Sequence, residues 1–559
     1  MAHGTPLDDN FYKRHQFNEI PDSELGHRDE HGGIDESLPY ENGRAYFHVE
    51  DLDCVQRRLG QRHAQMIAIA GTIGTGLLLG SGRALQGAGP VGALLAYAHV
   101  GTVAYATLAA VGEMTSFAPV SGTFPHFCSR FVDPALGFAV GWNYFYTNLL
   151  TVPNEITAAQ IVLTYWDRDE GRQALYTGML ILATVLVNLF AVRFFGESEF
   201  VLALIKITLI IGLIMVGLVI DLGGAPDHDR RGFRFWSDPG PFREYLVEGN
   251  TGRFLGLLSV IVQASFTFQG VELVAVAAAE TESPRRNIGI ACRRVFWKIL
   301  TLYMLSVLFI GLTVRSDNDQ LMSREGNAAQ SPFVIAINIA GIKGLPHVVN
   351  AGVFLSAFSA GNAFLYSASR VLYGLALRGQ APRIFTYCTR NGLPMISVIT
   401  CSGAALLSFM TLKESSNTVF NWFVNLTTTG GYGAWFSINL AYIAMYKGMK
   451  AQNIDRTQLI YKSSLQPWLS YWGLFWTSIF ILINGYDVFF AWDTSRFLTS
   501  YINIPLFISF YIGFKWWYRT EIWRSDEIDF VTGVPTLEET ETPPRIPRNV
   551  WEKIADAIF

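Results

Sequence analysis

Three ionisable residues stand inside long apolar segments, where a charge is costly. They are Lys206, Glu155 and Glu272. Ionisable side chains at membrane depth typically mark ion or proton pathways. Because burial favours the neutral form of a lysine, Lys206 could load and release a proton, and the two acids could do the same. The alternative for each residue is a structural ion pair or a hydrogen-bonded carboxylic acid.

A glycine cluster interrupts the first long apolar segment near its middle. Gly71, Gly74 and Gly76 fall within six residues, and Gly costs about 1 kcal/mol relative to Ala in a helix interior. The pattern predicts an unwound turn. The backbone amides of Thr75 and Gly76, at the positive end of the resumed helix, could then hold a carboxylate. Close packing of helices through small residues is the alternative interpretation.

A second interruption follows five segments later and contains Phe266, Thr267, Phe268, Gln269 and Gly270. Interrupted helices at corresponding positions of two halves are typical of a transporter's binding site. Carbonyl groups freed at the two breaks could take an ammonium group opposite the carboxylate. An α-amino acid fits such a pair of opposed poles. Phe266 and Phe268 could close over it, although packing is the usual role of an aromatic in a membrane helix.

The elements that must position these residues are membrane helices. Half of the residues are hydrophobic and 16% are charged, against about a quarter in soluble proteins. Segments of about 20 apolar residues can cross a bilayer, and continuous rather than alternating apolar runs exclude a barrel. We predict twelve spans: 64–84, 91–118, 135–163, 175–193, 199–221, 254–279, 291–315, 345–378, 396–412, 418–446, 468–492 and 497–518.

The two ends of the chain are polar. Residues 1–54 predict a disordered N-terminal tail and residues 521–559 a C-terminal tail, flanking a helical domain over 55–520. Lys and Arg concentrate in the loops that lie inside if the N-terminus is inside, among them Arg285, Arg286 and Arg370. An even number of spans then puts both tails in the cytosol.

Several classes of function are excluded. The formal charge is −4 and no long basic block occurs, so nucleic acid is not an expected partner. The spans contain no paired His and acid, no nucleophile with a base and no metal cluster, which argues against an enzyme. We expect no cofactor and no metal.

The ordered motifs resemble those of fungal amino acid permeases, the yeast-type amino acid transporter family of the amino acid–polyamine–organocation superfamily. The resemblance covers about residues 55 to 520. It is carried by the blocks 71–77, 112–114, 131–137, 141–144, 155–159, 205–206, 265–272, 280–286, 369–376 and 379–382.

The resemblance implies an all-α integral membrane protein with a leucine-transporter-like fold. Such a fold has about twelve transmembrane helices, arranged as a 5+5 inverted repeat plus two further helices. It also implies a plasma-membrane importer of amino acids with protons.

Roles of single residues follow from the same resemblance. The substrate's backbone groups would be held by Ile73, Gly74, Thr75 and Gly76. Phe266 would cover the substrate, and Phe268 and Gly270 would line the second break. Lys206 matches a lysine that takes the place of a sodium ion in proton-coupled relatives, and Glu155 an acid associated with substrate or proton handling. Asn154 stands where relatives often have another residue, so it could alter side-chain selectivity.

The sequence therefore predicts a proton-coupled secondary transporter that imports amino acids by alternating access. An amino acid exchanger and a transporter-like nutrient receptor are the alternatives. The expected partners are an amino acid, protons and membrane lipid, and the tails could engage cytosolic regulatory partners. The sequence leaves open which amino acids are carried.

Overall fold

The computed structural model describes residues 40–41, 44–45, 59–120, 122–167, 169–189, 192–322, 331–390, 392–412, 415–532, 534–535 and 540–541. Most of the predicted N-terminal tail lies outside these residues. The part described is one antiparallel pair of two-residue strands, β1 (Tyr40–Glu41) and β2 (Arg44–Ala45). All other regular structure in the described part of the chain is helical.

Nineteen α-helices follow in chain order within the described residues. They are α1 (Gln61–Thr72), α2 (Thr75–Leu78), α3 (Ser81–Phe117), α4 (Thr123–Phe131), α5 (Pro134–Leu163), α6 (Glu170–Leu189), α7 (Val192–Asp221), α8 (Arg234–Ser237), α9 (Gly249–Phe268), α10 (Leu273–Val276), α11 (Pro284–Thr313), α12 (Asp319–Met322), α13 (Pro332–Ile339), α14 (Leu345–Leu377), α15 (Met395–Gly403), α16 (Ser416–Ala451), α17 (Trp468–Ile483), α18 (Thr494–Tyr501) and α19 (Asn503–Tyr518). A 3₁₀ segment, Ala404–Leu412, extends α15, and another, Ala277–Glu280, extends α10.

The protein is an integral membrane protein, as the sequence predicted. Eight helical segments of the described chain are long and apolar enough to cross a membrane by themselves: Ser81–Phe117, Gly171–Leu189, Phe194–Asp221, Gly249–Val276, Pro284–Thr313, Leu345–Leu377, Met395–Leu412 and Thr494–Tyr518. The four other predicted spans correspond to the broken pair α1/α2 and to α5, α16 and α17. Outward-facing apolar side chains such as Leu182, Met215 and Leu482 are exposed, as a lipid-facing surface requires.

A single glycine separates the first two spans. Gly89 has φ +76° inside α3, so helical geometry stops between Ala88 and Pro90. The long loop 222–248 packs on this point, because Arg243 N donates to Ala88 O at 3.0 Å and Val91 N donates to Pro241 O at 3.0 Å. We call this side of the protein the loop face.

The opposite side, the tail face, brings together the start of α1, the 3₁₀ segment after α10 and the C-terminal part of α14. Leu59 pairs with the chain after α10, donating to Glu280 O and accepting from Glu282 N, each at 2.8 Å. The Arg370 guanidinium lies 2.9 Å from the Glu280 carboxylate, and the Tyr366 hydroxyl donates to the same acid at 2.8 Å. Arg370 and Glu280 are both buried, so this ion pair closes the tail face below the two helix breaks.

The sequence predicts the C-terminal segment, residues 521–559, as a polar tail. Its described part packs along the tail face. Trp523 donates to the backbone of α4 at Ser129 O (2.9 Å), and Arg130 Nε donates to Asp529 O at 2.8 Å. Phe530 is 8% exposed and contacts Phe117 and Phe131, with ring centroids 5.8 Å apart in each pair. Apolar anchors within the acidic run hold the segment down. Residues 542–559 lie outside the described part.

Replacing the anchor of this segment should release it. Phe530→Ala removes a buried ring, a change worth about 3–5 kcal/mol in a core. We expect the segment after α19 to become cleavable by a protease added to the tail face while the helices stay intact. Ile522→Ala is the matched control, since Ile522 is 61% exposed. Equal cleavage rates in the two variants would contradict the docking described here.

Candidate functional site

The first apolar span is broken where its glycines predicted. Helix α1 ends at Thr72, and Ile73 (φ −80°, ψ 83°) and Gly74 (φ −110°, ψ −150°) leave helical geometry before α2 begins at Thr75. The break is buried from Thr72 to Gly76. It therefore frees backbone groups inside the protein, away from water.

The second break lies in the span formed by α9 and α10. Gln269 is extended (φ −62°, ψ 146°) and Gly270 has φ +94°, a left-handed conformation that a residue with a side chain rarely adopts. A Cβ atom built on Gly270 would lie 3.0 Å from the carbonyl carbon of Gly71 and 3.2 Å from the amide nitrogen of Thr72. The two breaks are therefore in direct backbone contact, and glycine at position 270 is what permits it.

Side chains form hydrogen bonds with several of the backbone carbonyl oxygens at the two breaks. The Tyr303 hydroxyl lies 2.8 Å from Thr72 O and 3.1 Å from Thr267 O, so one phenol of α11 bridges both breaks. Ser356 of α14 donates to Ile73 O at 3.1 Å. Lys206 of α7 donates to Ala70 O at 2.5 Å. Lys206 thus holds the last turn of α1 by a charge-assisted hydrogen bond.

The carboxylate of Glu155 lies at the start of the resumed helix, where the sequence predicted an anion site. Its Oε1 accepts from the Thr75 hydroxyl at 3.1 Å and lies 3.2 Å from the position of a Cβ built on Gly74. Its Oε2 has no hydrogen-bond partner among the described residues. A protein carboxylate therefore fills the pole suited to a ligand carboxylate.

A third ionisable residue, Glu199, belongs to this site and was missed by sequence reasoning. It is fully buried on α7, and its Oε2 accepts from Ser359 of α14 at 2.6 Å. Its Oε1 has no partner in the described part of the chain. The predicted fifth span, 199–221, begins at Glu199, and sequence analysis assigned this residue no role. Its spacing of seven from Lys206 could have revealed it, since seven residues make two helical turns.

Electrostatics join these three residues into one group. The charges acting on Lys206 are those of Glu199 and Glu155. Two carboxylates and one ammonium leave one negative charge in excess when all three are ionised. An uncompensated buried charge is costly in a low-dielectric interior. One additional proton on the group would remove that excess charge.

Glu272 lies apart from that group. Its Oε1 accepts from the Tyr144 hydroxyl and its Oε2 from the Trp435 indole, each at 3.2 Å. Both oxygens thus have neutral donors, from α5 and α16. This arrangement favours the structural alternative for Glu272, as a tie that holds the second break against those helices.

The remaining predicted residues divide between the breaks and their surroundings. Gly76 lies against the second break, since a Cβ there would be 3.3 Å from Phe266 Cδ1. Phe268 is fully buried between Tyr97 and Tyr303, at centroid distances of 6.3 and 5.0 Å, which is a packing environment. Asn154 is fully buried, and neither polar atom of its amide has a hydrogen-bond partner among the described residues.

The chain is similar to known amino acid permeases over most of its length. The family model described as amino acid permease matches residues 63–526. A proline-specific permease of Emericella nidulans is 41% identical, with 91% of this chain and 94% of that protein covered. A dicarboxylic amino acid permease of Saccharomyces cerevisiae is 39% identical, with 86% of this chain and 80% of that protein covered.

Among solved structures, the fold is similar to that of a manganese transporter variant from Eremococcus coleocola. The TM-score is 0.52 at 12% sequence identity, and the match covers 87% of this chain and 99% of the other. At this identity the likeness concerns the fold alone, which is of the leucine-transporter type predicted from sequence.

The contact between the breaks can be tested with one methyl group. Gly270→Ala should destabilise the protein by about 1–2 kcal/mol from the left-handed backbone alone, and further because the new Cβ presses on Gly71. We expect lower thermal stability in detergent and loss of ligand binding. Gly212→Ala is the control, because a Cβ on that helical glycine meets nothing within 4 Å. Equal stability of the two variants would refute the contact.

Proposed function

The chain belongs to the amino acid permease family, and we propose that it is a proton-coupled secondary transporter that imports α-amino acids by alternating access. The observation that carries this proposal is the backbone contact between two helix breaks at Gly270 and Gly71. A zwitterion needs a pole of donors for its carboxylate and a pole of acceptors for its ammonium. Two opposed breaks supply both from the backbone.

Coupling to a proton follows from the position of Glu155. Its carboxylate accepts from Thr75 at the pole that the substrate carboxylate would use. Two carboxylates at one set of donors repel each other in a low-dielectric site. Protonation of Glu155 removes that repulsion and lets the substrate anion take the donors. A substrate and a proton would then be bound together, as symport requires.

Lys206 supplies the other half of this coupling. Its ammonium is bonded to Ala70 O one turn before the break, and it experiences the charge of Glu155. Protonation of Glu155 weakens the attraction that holds Lys206 toward that acid. The hydrogen bond between Lys206 and α1 would change as a result. Protonation of Glu155 would therefore affect the helix that binds the substrate.

Alternating access requires the tail face to open. We propose that this face is cytosolic, that both termini lie in the cytosol and that the membrane is the plasma membrane. Release inward would separate Glu280 on the α10 side from Arg370 on α14, which lie 2.9 Å apart. Cations entering with the substrate gain about 2.3 kcal/mol per charge per 100 mV from an inside-negative potential. Membrane lipid and regulatory partners of the tails complete the expected set of partners.

The substrate class is α-amino acids recognised through their backbone groups. The two relatives are named for proline and for dicarboxylic amino acids at nearly equal identity, 41% and 39%. Those substrates share the α-amino and α-carboxyl groups and differ in the side chain. We propose that the backbone at the two breaks binds the shared α-amino and α-carboxyl groups. Ile73, Phe266 and Asn154 would then line the space for the substrate's side chain.

Two other functions make different demands on the protein. An obligate exchanger would take up labelled amino acid only when the vesicle holds unlabelled substrate. A nutrient receptor would bind without uptake. Net uptake into empty proteoliposomes, driven by an inward proton gradient and abolished by a protonophore, is the experiment that tests the proposed function.

Removal of the lysine should uncouple the transporter. Lys206→Ala is expected to abolish accumulation against a gradient while exchange of labelled for unlabelled substrate continues. Uptake into proteoliposomes with and without a pH gradient measures both. Lys447→Ala, at an exposed position on α16, is the control. Undiminished uphill uptake by Lys206→Ala would refute the role of this lysine.

Neutralising the acid at the break should remove the pH dependence of binding. In the wild type, rising pH ionises Glu155, which then competes with the substrate carboxylate, so affinity should fall. Glu155→Gln mimics the protonated form and should bind substrate with an affinity that stays flat with pH. Substrate-induced thermal stabilisation across a pH series measures this. A pH dependence equal to that of the wild type would contradict the competition.

The recognition of backbone groups can be checked by competition. Acidic, neutral, basic and imino acids are tested against uptake of a labelled substrate, together with the matching amines that lack the carboxylate. We expect some amino acids to compete and no amine to do so. An amine that competes as well as its parent amino acid would contradict the proposed carboxylate pole.

A further inference from the structure

We propose that Glu199 is a second proton-carrying residue of the transport cycle, which receives the proton of Glu155 through Lys206 and releases it toward the tail face. The inference rests on the proposed proton coupling and assigns its release step. It begins from an acid that is fully buried, keeps one oxygen without a hydrogen-bond partner among the described residues, and lies on the same helix as Lys206.

The position of Glu199 along α7 indicates the direction in which the proton is released. It precedes Lys206 by seven residues, about 10 Å along the helix axis. Helix α7 starts at the tail face, where a Cβ on Gly196 would lie 2.9 Å from Leu59 Cδ2. Glu197, two residues before Glu199, is already 42% exposed. Glu199 therefore lies between the buried lysine and the water of the tail face.

Among the groups around Glu199, Lys206 is the one that can exchange a proton with it. Lys206 is the charged group that acts on it, and Ser359 of α14 donates to its Oε2. Beyond Lys206, Glu155 of α5 completes the group. On α1, His63 is engaged with Glu197 at 3.2 Å. Glu155 on one side of the lysine and Glu199 on the other make two acids that can share one proton.

The transfer balances without any further reactant. The Lys206 ammonium leaves Ala70 O and gives a proton to the Glu199 carboxylate, which becomes a carboxylic acid. The neutral amine then takes the proton of the Glu155 carboxylic acid, and Glu155 becomes a carboxylate. The net change moves one proton from Glu155 to Glu199. Loss of that proton to water at the tail face leaves two carboxylates and one ammonium, the state with one excess negative charge that can take up the next proton.

This step also gives the cycle an order. While Glu155 is protonated, the substrate carboxylate can hold the donors at Thr75. Once the proton has moved to Glu199, the ionised Glu155 again competes for those donors. Substrate release and proton release are then linked, because the departure of one proton restores the repulsion that expels the substrate.

The test uses the full-length protein in proteoliposomes with an internal pH dye. For one proton per substrate, a gradient of one pH unit supports accumulation of about tenfold in the wild type. We expect Glu199→Gln to bind and exchange substrate but to lose this accumulation and the acidification of the interior. Glu199→Asp, which keeps a carboxyl group, should restore part of both. Glu197→Gln is the control on the same helix and should behave as the wild type.

Each result has one interpretation. Wild-type accumulation and internal acidification in Glu199→Gln would overturn the proposal for Glu199 alone. Absence of gradient-driven accumulation in the wild type would instead overturn proton coupling. If Glu199→Gln does not fold, Ser359→Ala removes the hydrogen bond to the acid and keeps the carboxyl group. Ser359→Ala should then shift the dependence of efflux on internal pH, and an unshifted dependence would also overturn the proposal.

Discussion

The structure depends on one close approach, in which the backbone of Gly270 touches the backbone of Gly71 and Thr72. A membrane helix normally satisfies its own amides and carbonyls, and a break inside the bilayer is tolerated only where other groups replace those partners. Here the partners are Tyr303, Ser356 and Lys206 for the carbonyls, and Glu155 for the donors near Thr75. Every ionisable residue assigned to coupling is therefore also a partner of broken backbone, or is joined electrostatically to one.

This double role suits the buried charges to the proposed proton coupling. A lysine and two acids in a dry interior cannot all stay ionised without an excess charge, and adding a proton removes that excess. The Glu155 carboxylate, proposed to carry the proton, lies at the N-terminal end of the resumed helix. A ligand carboxylate arriving at that end changes the best location of the proton. In the proposed cycle, binding and protonation would be linked by competition for a small set of donors rather than through a distant conformational signal.

Much of this arrangement could be predicted from sequence. Glycines concentrated at mid-span and a polar interruption five spans later predicted both breaks, since Gly weakens a helix wherever it occurs. Lys206 and Glu155 were predicted because charge is rare in apolar segments. Glu199 was missed because it sits where a hydropathy profile ends, and its burial depends on α14 packing across it. Nor could sequence indicate that Tyr303 bridges two carbonyls, because that requires the relative positions of three helices.

The C-terminal segment shows the same limit. Its acidic and proline-rich composition predicted a polar tail. An average over the composition of a segment does not reveal a few apolar side chains that anchor it. Phe530 and Ile528 find a place only because Gly448 at the end of α16 has no side chain in their way. One practical consequence concerns protein engineering. A chain shortened after Tyr518 would leave an apolar slot facing water, so a purification tag should not replace the segment that fills it.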